Sequence, residues 1–411
     1  MQYDITIIGA GIVGMATAFQ LSEQQPELRI AVIDKEGRVA DHQTGHNSGV
    51  IHSGIYYKPG GSKALNCQKG YRYLLDFCDR YEVPYEICGK VIVATEEEER
   101  GRLDKIYQTG LANGMKGLRK LVPEQVREIE PHVQSVEAIW VPQSGIIHYR
   151  TVAEKYLEII ENRGADAFFQ QQVIDLRTST AETVVITDQQ EIHTRLAINC
   201  AGLYSDKITA MTMPEVDIQI LPFRGEYYEL TSEKQHLVRN LIYPVPNPNF
   251  PFLGVHYTRM IKGGIEAGPN AVLAFRREGY SRWDVNAKEL WETLSYPGFQ
   301  KLAWKYWKDG LGEMHRSYSK KAFVRALQHL IPEVGEKDLK RGSSGVRAMA
   351  CDPKGNLIDD FLIREKPGVI NLCNAPSPAA TANLAIGEML AERAIKRLSN
   401  LPEASLQGKT K

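Results

Sequence analysis

The first 34 residues constrain this chain more than any other stretch. Ile5-Thr6-Ile7-Ile8 is a short apolar run, and Gly9-Ala10-Gly11-Ile12-Val13-Gly14 follows at once. A helical stretch from Met15 to Ser22 comes next, then a second apolar run, Arg29 to Ile33, that ends in Asp34. Strand, glycine turn, helix, strand and acid in that order make a frame that seats a dinucleotide. Each glycine has its own reason. Gly9 permits the tight turn out of the strand, Gly11 lets backbone approach a pyrophosphate, and Gly14 lets the helix lie close to the sheet. The helix N-terminus directs amide groups and a positive dipole end at the phosphates. Asp34 lies about 20 residues beyond Gly14, where an acid accepts hydrogen bonds from ribose hydroxyls. The same pattern serves FAD and NAD; its place at the N-terminus favours FAD by analogy with other flavoproteins.

Bulk properties narrow the function classes. The chain has 411 residues, enough for two domains. Lys plus Arg and Asp plus Glu number 50 each, so there is no basic footprint for nucleic acid. No apolar run is long enough to span a membrane. The sequence enters its first strand directly, which leaves no room for a targeting peptide. Six cysteines with no CxxC pair point to reduced thiols and a cytoplasmic location rather than a disulfide framework or zinc site. The segment after Asn400 is polar and reads as a frayed tail.

Further along, residues 41–57 mix glycines, three histidines and two tyrosines in a polar stretch, and loops on rigid scaffolds concentrate function. Thr44, Asn47 and Ser48 are expected to bond phosphates or a flavin edge, and His52 and Tyr56 to face substrate. A metal reading of Asp41, His42 and His46 lacks the helical spacing of a metalloprotease motif. Strands are expected at 84–95, a helix at 96–113 and a long helix at 151–163. Strands between 165 and 186, with Val173 in one of them, lead to a buried strand at 197–200 that ends in Ala201-Gly202. Ser205-Asp206 then opens a helix at the ligand side of the sheet. The segments 218–230 and 253–274, joined by a proline-rich stretch at 243–251, suit an antiparallel sheet over a cofactor. The region 309–341 reads as mostly helical, with short strands at 345–347, 357–358 and 369–372 after it. Pro376-Ser377-Pro378-Ala379-Ala380-Thr381 opens a last helix, 382–398, a second N-terminal anion site suited to charge on a reduced flavin.

The fold expected is α/β, a Rossmann-like FAD-binding domain with a second α+β substrate domain on an antiparallel sheet. The boundaries are 1–82, 150–215 and 340–411 for the first, and 83–149 and 216–339 for the second. Candidate cofactor contacts are Gly9, Gly11, Ile12, Val13, Gly14, Asp34, Lys35, Thr44, His46, Asn47, Ser48, Gly49, Val173, Ala201, Gly202, Pro376, Ser377, Ala379, Ala380 and Thr381.

Together GAGIVG with Asp34, HNSGVIHSGIYYKPG, PFRGEYYEL, FLGVHYTR, GPNAVLAFRREGY, SGVRA and NAPSPAAT resemble the L-2-hydroxyglutarate dehydrogenase/oxidase family of D-amino-acid-oxidase-like flavoproteins. The resemblance runs from about Tyr3 to about Ile395. It implies FAD on the Rossmann half, an antiparallel sheet over the flavin ring, and oxidation of an L-2-hydroxy dicarboxylate to its 2-oxo acid. A quinone, a dye or oxygen then takes the electrons. Within the wider oxidase group an arginine like Arg347 in SGVRA binds the α-carboxylate, where a bidentate fork suits it better than lysine.

Oxidation of a secondary alcohol by flavin requires hydride transfer to N5 and a base with a pKa near the working pH. His52 is the expected base and His256 its rival. The distal carboxylate leaves Tyr56, Lys90, Arg224 and Arg259 as open candidates. Competing readings are a glycine- or sarcosine-type amino-acid oxidase, a flavin-bearing nucleic-acid-modifying protein, which the balanced charge disfavours, and a ligand sensor without turnover. Finally, residues 299–307 (FQKLAWKYW) interleave aromatics with lysines. As one helix they would show Leu302, Ala303, Tyr306 and Trp307 on one side. That suits peripheral contact with the inner face of the cell membrane, or packing on the core.

Overall fold

The N-terminal frame forms as its residues dictate in a computed structural model, which describes residues 2–179, 182–247 and 253–400. Strand β1 (Gln2–Ile8) leads through the glycine turn into helix α1 (Ile12–Gln24) and then strand β2 (Ile30–Ile33). β1 and β2 pair in parallel, and Ile5, Ile7 and Ile30 are buried in one core cluster with α1. The residues 248–251 of the proline-rich joint and the tail after Asn400 lie outside the described residues.

Two large sheets carry the molecule. The first has eight strands and centres on β1, with β2 on one side and Glu191–Asn199 on the other, both parallel to it. Asp166–Phe168 extends it beyond β2, Val173–Thr178 and Thr183–Thr187 extend the far side, and Val369–Asn374 with Leu362–Lys366 complete it. Helices Tyr149–Asn162 and Asn383–Asn400 pack on α1. Gly387 makes this close approach possible, because a Cβ there would lie 2.7 Å from the Ala16 carbonyl carbon.

The second sheet has nine strands, in the order Val272–Leu273, Gln219–Leu230, Ile265–Gly268, His256–Arg259, Leu241–Pro244, Lys90–Ala94, Glu137–Val141 and Arg119–Leu121, with Leu339–Cys351 pairing Gln219–Leu230. It is antiparallel except where Leu241–Pro244 meets Lys90–Ala94 in parallel. Pairing of Leu339–Cys351 with Gln219–Leu230 places the SGVRA strand in the second sheet, and of residues 340–411 only the later strands and last helix join the first. A small third sheet joins Val50–Ile51, Gly145–Ile147 and Tyr85–Glu86, and so stitches the polar loop of residues 41–57 between the two layers.

The aromatic stretch departs from a single helix. One helix, Pro297–Lys305, stops at Tyr306 and a second, Trp307–Tyr318, starts anew. Leu302 faces inward, while Trp304 is 82% and Trp307 53% exposed.

Candidate active site

The glycine turn forms a cradle whose walls fit the sequence reading closely. Gly9 has φ +109°, and a Cβ there would lie 2.5 Å from the Cys200 carbonyl oxygen. A Cβ on Gly14 would lie 2.0 Å from the carbonyl oxygen of Gly9, so no side chain is tolerated where α1 meets the strand. Gly11 differs. A Cβ there meets only the Thr44 hydroxyl, at 3.5 Å, so the space before the first turn of α1 is open. Gly11 offers no side chain to cap that turn, and the Ile12 amide donates to Thr44 Oγ1 at 2.9 Å, with Val13 following in the same turn. Asp34 accepts from the Ala10 amide at 2.7 Å and the Glu36 amide at 2.9 Å. Burial raises its pKa, and these amides and the nearby Lys35 oppose the rise.

Other expected contacts gather around the same edge. Gly202, at φ +54°, follows Ala201, whose amide is held by the Asn199 side chain at 3.0 Å. Gly49, at φ +67°, donates its amide to Asn47 Oδ1, so Asn47 fastens its own loop. Ser48 hydrogen-bonds to Tyr227, and His46 stacks on Tyr280 with ring centroids 4.1 Å apart. Lys35 pairs with Glu36 and Glu278. Val173 is buried, its side chain packed in an apolar cluster with Tyr3, Ile8 and Ile33. The mouth of the last helix, with Pro376, Ser377, Ala379 and Ala380, sets Thr381 in the interior. Thr381 bonds Tyr149 at 2.9 Å and accepts from the His52 amide at 3.0 Å. The second glycine-free anion mouth and the His52 loop are thereby one unit.

Asp41, His42 and His46 do not converge. Asp41 pairs with Arg38 and Arg150, His42 with Glu36, and His46 Nδ1 meets the Ser344 carbonyl.

Beneath the second sheet lies a chamber of titratable groups. His256 stacks on Tyr243 at 4.0 Å, and Lys90 lies over both Tyr243 and Tyr56, 4.8 and 4.9 Å from the ring centroids. Burial, then the charges of Lys90 and His256, push His52 down to about 3. Burial does most to bring His256 to about 4; Arg347 and Lys90 lower it, and the Gly254 carbonyl opposes them. Both imidazoles are therefore neutral near pH 7 and able to accept a proton. His52 and Tyr56 keep some water-accessible surface, as residues lining a crevice do, although protein encloses both. Arg347, half-buried, donates to the Asn270 carbonyl at 3.4 Å, and its charge reaches Tyr227 as well as His256.

Two of the expected substrate ligands point elsewhere. Arg224 is buried but forks onto Glu226 and donates to the carbonyls of Gly279 and Ser281. It pairs in register with Val346, whereas Phe223 pairs with Arg347, so the strand's two-residue period turns Arg224 to the opposite face. Arg259 makes a two-pronged pair with Glu86 and lies three residues from His256 on the same strand, hence on the other face. Both guanidinium groups already have carboxylates. Sequence reasoning missed Gln43, which receives the Ala348 amide at 3.1 Å and reaches Gly202, because no motif marks it.

The family model for FAD dependent oxidoreductases (DAO) matches residues 4–393. An L-2-hydroxyglutarate dehydrogenase from Indibacter alkaliphilus is 53% identical over 398 residues, covering 97% of this chain and all of the relative. One from Escherichia coli K12 is 43% identical, covering 94% of this chain and 91% of the relative. A mitochondrial one from Caenorhabditis elegans is 43% identical, covering 96% and 94%. Among solved structures, an FAD-bound L-alpha-glycerophosphate oxidase from Mycoplasma pneumoniae superposes with TM-score 0.78 at 21% identity, covering 97% of this chain and 95% of its own. FAD fits the residues present: the open space at Gly11, the first turn of α1 with no side-chain cap from Gly11, and the carboxylate of Asp34 would hold a diphosphate and ribose. A DAO match over nearly the whole chain and curated relatives of this identity and coverage place the protein in the L-2-hydroxyglutarate dehydrogenase family of FAD-dependent oxidoreductases.

Proposed function

We propose that this protein oxidises L-2-hydroxyglutarate to 2-oxoglutarate and passes the electrons to a quinone or another acceptor. The observation that carries the reading is the chamber itself: two neutral histidines beside Arg347 and Lys90, in a chain so similar to relatives of that name. Bound FAD supplies the two-electron acceptor for the hydride that leaves the α-carbon. Arg347 grips the α-carboxylate as a fork. His52 takes the hydroxyl proton, with His256 as the alternative base. Burial does most to hold both imidazoles down, with Lys90 adding to it at both and Arg347 at His256, so an anionic substrate that offsets those charges raises the basicity of the group that must act. Thr381, on the His52 amide, fixes the backbone from which that imidazole projects.

Anaerobic titration of the purified holoenzyme is the test. L-2-hydroxyglutarate should bleach the flavin stoichiometrically, while the D-enantiomer and lactate leave it yellow. Bleaching by glycine or sarcosine instead would move the protein to the amino-acid oxidases.

The quinone reading extends to the surface. No helix among the described residues is long and apolar enough to cross a membrane. Yet Trp283, Trp291, Trp304 and Trp307 are all exposed, and Lys305 and Lys308 adjoin the last two in the chain. Indole rings interleaved with lysines suit the interface of an anionic bilayer. Sedimentation with anionic vesicles should drop when Trp304 and Trp307 become serine; no sedimentation of the parent protein rejects membrane contact.

A further inference from the structure

Three cationic side chains in the interior invite comparison. Arg224 and Arg277 are each 3% exposed, and each meets a carboxylate: Glu226 for the first, a two-pronged Asp206 for the second. Lys90 is 1% exposed, at the start of the strand Lys90–Ala94, and among the described residues no carboxylate pairs with it. Its surroundings are the rings of Tyr56 and Tyr243 and the thiol of Cys67. Two ring faces stabilise an ammonium only in part. Removing that ammonium from water costs more than they return. The rings do not close the difference, and burial accordingly lowers Lys90 to about 7.

A second group beside it is also unsatisfied. The Tyr56 hydroxyl is buried with no hydrogen-bond partner among the described residues, and burial raises its pKa so far that it stays a donor. Among the described residues, a buried ammonium without a carboxylate beside a buried phenol without a partner calls for an acceptor of negative charge. Lys90 and Arg347 are moreover the two cations whose charge reaches His256, so the acceptor belongs to the same molecule whose other end Arg347 holds.

We infer that Lys90 and the Tyr56 hydroxyl form the subsite for the distal carboxylate of the substrate, and so set the preference for a dicarboxylate over a 2-hydroxy monoacid. This inference rests on the activity proposed above and names what selects its substrate. Arg224 and Arg259, the alternatives legible in the sequence, are excluded from the role by their own carboxylates on the opposite faces of their strands. Pairing with a dicarboxylate supplies Lys90 with the anion it lacks and returns it to the charged state.

The test uses holoenzyme and two readouts. Calorimetric binding of glutarate, which has both carboxylates and no hydroxyl to oxidise, reads the subsite without turnover. Lys90→Met should weaken glutarate at least 30-fold and leave valerate unchanged. In turnover, the same variant should lose at least 100-fold in kcat/KM on L-2-hydroxyglutarate and only a few-fold on L-2-hydroxyvalerate, which carries a methyl group in place of the distal carboxylate, so the preference for the dicarboxylate collapses. Tyr56→Phe removes one oxygen, folds on the same packing, and should weaken glutarate about tenfold. Glutarate that binds Lys90→Met and Tyr56→Phe as tightly as the parent, or does not bind the parent at all, overturns the subsite. If the parent binds glutarate through Lys90 but does not oxidise L-2-hydroxyglutarate, the activity falls and the subsite stands.

Discussion

The cradle at the mouth of α1 and the chamber under the second sheet are built in opposite ways. The cradle comes from one continuous stretch, and its shape is fixed by what is missing: side chains at Gly9, Gly11 and Gly14. The chamber takes His52 from a loop, Lys90, Tyr243 and His256 from three strands, and Arg347 from a strand some 295 residues after His52 in sequence. Its character is fixed by what is present, above all a buried lysine with no carboxylate paired to it among the described residues. The cradle is a matter of backbone clearance, so its faults are nearly all-or-none. The chamber is a matter of charge in a dry place, so its faults are graded.

The largest expected effect is therefore in the cradle. Gly14→Ala places a methyl group on the Gly9 carbonyl, and the purified protein should carry no flavin, read as loss of the yellow absorbance. A flavin-loaded variant would mean that the turn has more room than its clearances indicate. Next comes His52→Gln, which keeps the flavin but should lower kcat by roughly 100-fold or more. An undiminished kcat would hand the proton to His256, and the same measurement on His256→Gln then decides between them.

Smaller again is Arg347→Lys. A point charge replaces a fork, and KM should rise about tenfold, some 1.4 kcal/mol. Arg259→Ala is the control from the other face of the sheet. It breaks only the half-exposed pair with Glu86, and its KM should stay within about twofold of the parent. Equal effects at the two arginines would dissolve the distinction between the faces.

The remaining effect is thermal and does not bear on turnover. His52 and His256 titrate near 3 and 4 in the folded protein, against about 6.5 in an unfolded chain. Between those values the unfolded chain binds protons that the folded one refuses, so stability is whole above about pH 6.5 and declines as the pH falls toward 4. Melting temperature measured over that window should fall, and His256→Gln should flatten the decline.

Much of the fold was legible because its signals are local. Tyr3 to Asp34 was readable as a unit, and the helix expected at 151–163 appears as Tyr149–Asn162. The strand expected at 218–230 appears as Gln219–Leu230. Elements that depend on distant partners were not legible. Val50–Ile51 is a strand only because Gly145–Ile147 lies beside it, and nothing local announces Leu362–Lys366, which exists by pairing with Val369–Asn374. The break at Tyr306 likewise splits what the aromatic pattern presented as one helix.

The same boundary runs through the site. By itself the sequence determined the nucleotide cradle, the glycines that keep it clear, and a set of cations and histidines from which a dicarboxylate site could be assembled. Only the tertiary structure decided which of those cations were already neutralised. Arg224, Arg259 and Lys90 are equal as letters, but strand register turns the two arginines toward glutamates and leaves the lysine between two tyrosines. Charge is a property of the residue, whereas its neutralisation depends on a partner that only folding brings near.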